Sequence, residues 1–272
     1  FGEKDKFFLC HDIWMTKEYD KSRTLEWILI EKKEGDPIRT RYDRQATEKR
    51  ILSTCVRLFL EQGFSNTPPK QIFEEAEVSA GTFYHLYKSK SDVLADLTQF
   101  MFGNQFNVAG KIIGENPDPV LLYAVETSIQ LTLAELNEVL REVYVEVYTQ
   151  PNLVALVHQK TAPELQKIFG PYLPDTDGSG FYEIEIGTAG IMRAYMARPC
   201  DVYFTLERKL NRFLRTTLNI FEVPEDKIDA AIQTINSLDI RSIANEVMQQ
   251  LFRMLEMEYQ FTLSAPDAKE EA

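Results

Sequence analysis

The stretch from Ile72 to Leu94, IFEEAEVSAGTFYHLYKSKSDVL, constrains the fold of this chain more than any other. Its spacing predicts a short helix, a tight turn, a second short helix and the capped start of a longer one. Ile72, Ala76, Val78, Phe83 and Leu86 can face inward together, which leaves Ser79, Thr82, Tyr84 and His85 outside. Two short helices joined by a few residues make a helix-turn-helix, a unit whose second helix fits the major groove of DNA.

The helix expected before it, TEKRILSTCVRLFLEQGF, carries Ile51, Leu52, Cys55, Leu58 and Phe59 at helical spacing, with Thr47 as its cap and Gly63 as its stop. Together the two segments resemble the amino-terminal DNA-binding domain of TetR-family transcriptional regulators. The matching positions are Ile51-Leu52, Leu58-Phe59, Gly63-Phe64, Ile72, Ala76, Val78-Ser79, Gly81-Thr82-Phe83-Tyr84, Tyr87, Ser89-Lys90 and Asp92. The resemblance implies DNA contacts by Thr47, Lys70, Ser79, Gly81, Thr82, Tyr84, His85, Lys88 and Lys90. In that reading Gly81 and Thr82 allow close approach, and Tyr84 offers a hydroxyl to a phosphate. His85 offers a ring nitrogen to a base edge or phosphate, and Lys90 neighbours a phosphate. Three positions depart from the pattern. Glu77 stands in the turn where the family has Gly, at a cost on the order of 1 kcal/mol if the backbone is left-handed there. Pro68-Pro69 replaces the usual Ser or Thr cap, so Thr67 is expected to cap instead. Leu86 stands where His or Tyr is usual.

Residues 1–44 lie outside the resemblance and hold two apolar clusters around a charged stretch, then RTRYDR. Arg39, Arg41 and Arg44 suit either a solvated linker or a basic arm entering a minor groove. A long fourth helix should open at Ser91-Asp92 and run to about Gly114, with Phe100, Phe102 and Phe106 facing the body. Asn116-Pro117-Asp118-Pro119 breaks the chain. Val120 to Thr149 reads as one long apolar-periodic segment, followed by helical pieces at Asn152–Lys160 and Pro163–Phe169. PYLPDTDGSG is a loop. Phe181–Ala197 carries Gly187, Ala189, Gly190 and Ala194, small residues that let a partner helix come close. With Val202–Phe221 it resembles the pair of helices that builds the family's dimer. Two further helices are expected, from Pro224 and over Ile240–Phe261, before a disordered tail.

The formal charge of −12 is unusual for a DNA binder, but it is unevenly placed. Residues 1–44 hold 10 basic and 10 acidic side chains and residues 45–95 hold 6 and 6, so the whole deficit falls in 96–272. A neutral head with a basic face can still bind phosphates, because local charge decides affinity. Three widely spaced cysteines argue against a disulfide framework and for a reducing cytoplasm. No apolar run approaches the ~18 residues of a membrane span, and no signal peptide is visible.

Catalytic motifs are not apparent. The three histidines form no pair at metal spacing, and there is no phosphate-cradling glycine loop or nucleophile elbow. Glu183 and Glu185 read as solvated or bundle contacts. No cofactor or metal is expected. A ligand cavity is expected instead, because the body exceeds what dimerisation requires. Phe106, Tyr123, Tyr144, Tyr148, His158, Met192 and Tyr195 are the candidates to line it, since tyrosines combine apolar area with a polar handle.

The expectation is an all-α fold. Residues 1–44 form an extension, 45–95 a three-helix helix-turn-helix DNA-binding domain, and 96–262 a larger helical ligand-binding and dimerisation domain; 263–272 form the tail. The function expected is a ligand-responsive repressor, not an enzyme. It would bind a palindromic double-stranded operator as a homodimer, through helices at about 181–198 and 202–221. An adaptor of the same fold acting through protein contacts stays open as the alternative.

Overall fold

The computed structural model describes residues 44–99, 110, 114 and 118–256, and every regular element among them is a helix. Ile51, Leu52, Cys55, Leu58 and Phe59 form the buried stripe of α1 (Arg44–Gln62). Thr47 does not cap this helix. The chain is already helical at Arg44, and Thr47 lies one turn inside, 3% exposed. Gly63 ends α1 with φ +86 and returns its N–H to Phe59 O at 3.1 Å.

α2 (Pro69–Glu75) starts on a proline, whose fixed φ suits the first helical position. Thr67 is not its cap either. Pro68 holds that position without a side-chain bond, and the buried Thr67 hydroxyl donates back to Gly63 O at 2.7 Å. The helix closes in a Schellman motif: Val78 N–H reaches Phe73 O at 2.9 Å and Glu77 N–H reaches Glu74 O at 3.2 Å. That motif places Glu77 at φ +54, the left-handed conformation expected from its position in the turn. α3 (Ala80–Leu86) then begins on Ser79, whose Oγ accepts from Thr82 N–H at 3.0 Å. Phe83 and Leu86 are buried beneath it. α4 covers residues 90–99. The expected end of this helix at Gly114 has φ +89 and bonds back to Gly110 O. Phe100, Phe102 and Phe106 lie outside the described residues.

The body is organised round α5 (Pro119–Leu136), capped by Asp118 and buried on nearly every side. A helix apolar all round is a central one. The single long segment expected over 120–149 is two helices. At Asn137 the backbone turns extended, and its side chain accepts from Val139 and Leu140 N–H, starting α6 (Glu138–Val147). An asparagine inside an apolar run is a strong N-cap, and here that local preference prevails. The reverse holds next: the two pieces expected after Pro151 are one helix, α7 (Pro151–Phe169), which runs through Pro163. Packing on α8 holds it together despite the missing N–H.

α8 (Gly178–Ala197) starts a turn earlier than expected because Asp177 caps it through Gly180 N–H at 2.9 Å. α9 (Leu206–Ile220) starts later than Val202, on Thr205, after a turn that Asp201 ties to Tyr203 and Phe204 N–H. α10 (Glu225–Ser237) and α11 (Ile240–Met254) complete the body, both packed against α5. Tyr123, Phe169 and Phe221 form an aromatic knot, the last two stacked 3.9 Å apart.

A buried ion network ties α5, α6 and α9. Lys209, 0% exposed, donates to Glu135 and to Arg198 O, and Arg141 reaches Glu135 at 3.2 Å. Glu135 also accepts from Cys200 N–H at 3.1 Å. Such charges are tolerated inside because every member has partners.

Candidate functional site

The helix-turn-helix is held by its own side chains. Phe83 lies within ring contact of Phe73, Tyr84 and Tyr87, with centroids 6.0, 5.3 and 6.1 Å apart. Arg57 of α1 bonds Glu75 of α2 and Glu61 of its own helix. The Arg57 bond holds the Glu75 carboxyl below its ordinary value.

With that packing, α3 turns a distinct face outward. Gly81, Tyr84 and His85 are exposed, and Lys88 is exposed just beyond the helix. Tyr84 is 51% exposed, with its ring edge-on to Phe73. Gly81 meets nothing closer than Ser79 Oγ at 3.7 Å from where a Cβ would stand. Packing therefore does not require glycine here, and the bare surface is available for close approach from outside. Ser79 and Thr82 spend their hydroxyls on each other at 2.9 Å, so they shape the helix start more than they reach out. Lys70 is exposed, 3.7 Å from Glu74.

Two of the expected contacts are placed elsewhere. Thr47 is buried, with Arg50 donating to its hydroxyl at 3.5 Å. Lys90 is a tie inside the head: its ammonium donates to Phe64 O at 2.6 Å and Thr67 O at 3.1 Å, and sits 4.3 Å from the Phe64 ring centroid. Burial holds its pKa below the ordinary lysine value. Its ammonium thereby bridges two carbonyls of the α1–α2 loop.

Within the body a cavity of about 60 Å³ lies among α5, α7, α8 and α9. Of the candidates, Tyr123, Tyr148 and Met192 line it. Tyr144 faces instead a smaller apolar gap between head and body, with Phe59, Leu94 and Met248. His158 stands behind the wall, its Nδ1 3.6 Å from Glu185, and Tyr195 packs between Phe204 and Phe213. Phe106 is outside the described residues.

The carboxyl groups of the cavity escaped the sequence reading. Glu126 and Glu185 both line it, each 4% exposed. Gln130 donates to Glu126 and accepts from Tyr148 OH at 3.0 Å, while Thr188 donates to Glu185 at 3.1 Å. Burial pushes the Glu126 carboxyl up to about 8 and raises Glu185 as well. Of the two readings open for Glu185, a solvated face or a bundle contact, its burial excludes the first. The missed signal is a Glu and a Gln one turn apart in an otherwise apolar segment, since such residues are buried only with partners.

Among the described residues no group of three or more His, Cys, Asp or Glu is placed to hold a metal ion, and no helix is long and apolar enough to cross a membrane.

Residues 51–97 match the family described as bacterial regulatory proteins, tetR family. The head is thus a helix-turn-helix domain of that type. An uncharacterized HTH-type transcriptional regulator, YerO of Bacillus subtilis (strain 168), is 23% identical over 157 residues, 55% of this chain and 54% of that protein. The HTH-type transcriptional regulator AcrR of Shigella flexneri is 33% identical over 66 residues, 24% of this chain and 31% of that one. The chain spans about half the length, or less, of these curated relatives. Among solved structures, RolR in complex with resorcinol superposes with a TM-score of 0.48 at 16% identity, covering 70% of this chain and 94% of that chain.

Proposed function

We propose that this chain, whose residues 51–97 carry a tetR-type head, is a ligand-responsive repressor that binds a palindromic operator as a homodimer. The observation that carries the reading is the outer face of α3, where Gly81, Tyr84, His85 and neighbouring Lys88 are exposed above a sealed aromatic core. Dimerisation is supported by α8. Tyr182, Ile186, Gly187, Gly190 and Ala194 are exposed at helical spacing, and among the described residues nothing beyond the helix's own backbone lies within 4 Å of where a Cβ would stand on Gly187 or Gly190. A second α8 fits against such a strip. Ala189, expected on the same side, is instead buried. Two copies would then place their α3 helices in successive major grooves, with half-sites roughly 34–36 Å apart or a multiple of that.

The test is a gel shift with DNA upstream of the chain's own gene, followed by footprinting. Two protected half-sites spaced by whole helical turns are expected. An absence of specific binding would favour the adaptor reading, which gains some support from Thr47 and Lys90 being taken up inside the head.

A further inference from the structure

We propose that the cavity walled by Glu126 and Glu185 selects a compact organic cation bearing N–H donors, an amine or amidine. The proposal rests on the ligand-responsive reading and names the ligand class for that site.

Three features of the cavity converge on this class. Most of its donors are already committed: Gln130 to Glu126, Tyr148 to Gln130, Thr127 to Tyr123 O, and Thr188 to Glu185 and Ile184 O. Its acceptors are not. Glu126 accepts only from Gln130, through Oε1, leaving Oε2 without a hydrogen bond among the described residues. Glu185 accepts from Thr188 through Oε2, and its Oε1 has only the looser contact with His158 Nδ1, at 3.6 Å. A ligand filling the space therefore has to bring the donors. Secondly, three carboxyl groups and no Lys or Arg line the wall, Glu126, Glu185 and a Glu164 already bonded to Lys167, so an anion finds no counter-charge and a purely apolar molecule leaves buried oxygens unsatisfied. Thirdly, Tyr123, Tyr148 and Phe213 also face the space, and aromatic rings attract a cation over their faces. A volume of about 60 Å³ admits only a handful of water-sized groups, hence a compact molecule.

Protonation follows the same logic. The groups around the site are Tyr123 and Glu126 on α5, Tyr148 at the end of α6, His158 and Glu164 on α7, the latter bonded to Lys167, and Glu185 on α8. Burial holds protons on Glu126 below about pH 8. An entering cation displaces them, so its affinity rises as pH climbs towards that value.

Calorimetric titration of the full chain with acetamidine and its neutral near-isostere acetamide decides the matter. Acetamidine is expected to bind about tenfold or more tightly than acetamide, and more tightly at pH 8.5 than at pH 6.5. In the Glu126→Gln/Glu185→Gln variant, its fold checked by circular dichroism, the preference is expected to vanish. Equal binding of the two compounds, binding of neither, or a preference surviving in the variant overturns the proposal. A gel shift with and without acetamidine separates it from the functional reading. Selective binding that leaves operator affinity unchanged upholds the cation site while removing the ligand-responsive role.

Discussion

Glu77 shows how a single residue can be tolerated against its own conformational preference. Its φ of +54 is imposed by the Schellman closure of α2, because Val78 and Glu77 N–H both have to reach back to carbonyls of that helix. Glycine adopts this conformation without the clash a Cβ meets. Glu77→Gly is therefore expected to stabilise the protein by roughly 0.5–1 kcal/mol, a net of relieved strain and greater unfolded-state freedom, measured by urea denaturation. Destabilisation would show that the Glu77 side chain contributes something its contacts do not reveal. Glu126 stores a cost of another kind. Its carboxyl titrates near 8 in the folded chain against an ordinary value of 4.5. The folded state thus binds a proton that the unfolded state releases, and stability falls as pH rises from about 4.5 to about 8, then levels off. The slope approaches 1.4 kcal/mol per pH unit at most. Glu126→Gln is expected to raise the melting temperature at pH 8 and leave it little changed near pH 4.5. A pH-independent change would mean the carboxyl is ionised in the folded chain.

At the scale of the element, α3 and α4 divide the labour that the sequence assigns to both. Gly81 is not needed for packing, so Gly81→Ala is expected to increase stability by roughly 0.5–1 kcal/mol, as alanine does inside a helix. If α3 docks closely on DNA, the same substitution weakens operator binding, and a rise in both quantities would remove α3 from the interface. Lys88 and Lys90 make the complementary pair. Lys88→Ala is expected to lower the salt dependence of binding by about one unit of slope. Lys90→Met is expected to leave the slope unchanged while costing stability, since three loop carbonyls lie within reach of its ammonium. Equal slopes in both variants would overturn that division. The head was legible in the sequence because its signals are local: Gly63 as a stop, a proline at the start of α2, apolar residues at helical spacing. The occupation of Lys90 was not, because it depends on a loop 25 residues away folding back under it. In the body, Asn137 and Pro163 acted in opposite directions. One local preference broke a helix and the other was overruled by packing on α8, and the sequence carries no rule to rank them.

Across the whole molecule, α6 is the element that touches both working parts. Tyr144 faces the gap beneath α1 and α4, while Tyr148, one turn later, bonds Gln130 at the cavity. A ligand that shifts Gln130 and Tyr148 therefore pushes on the helix against which the head is seated, an arrangement that can couple the sites if α6 has two positions. The tie between the two parts is specific. Glu142 accepts from Ser65 N–H at 3.0 Å, and Gly63 leaves room for it, since a Cβ there would stand 2.4 Å from Glu142 Oε2. Gly63→Ala combines two penalties: a left-handed φ of +86, costing about 1 kcal/mol or more, and a carboxylate pushed off its amide, costing about 1 kcal/mol more. In a Glu142→Ala background the second penalty has already been incurred. The same glycine substitution is then expected to cost only about half as much, and a double-mutant cycle should show non-additivity on the order of 1 kcal/mol. Strict additivity would mean that Glu142 does not fasten the head to the body, and the seat of α1 on α6 would rest on its apolar contacts.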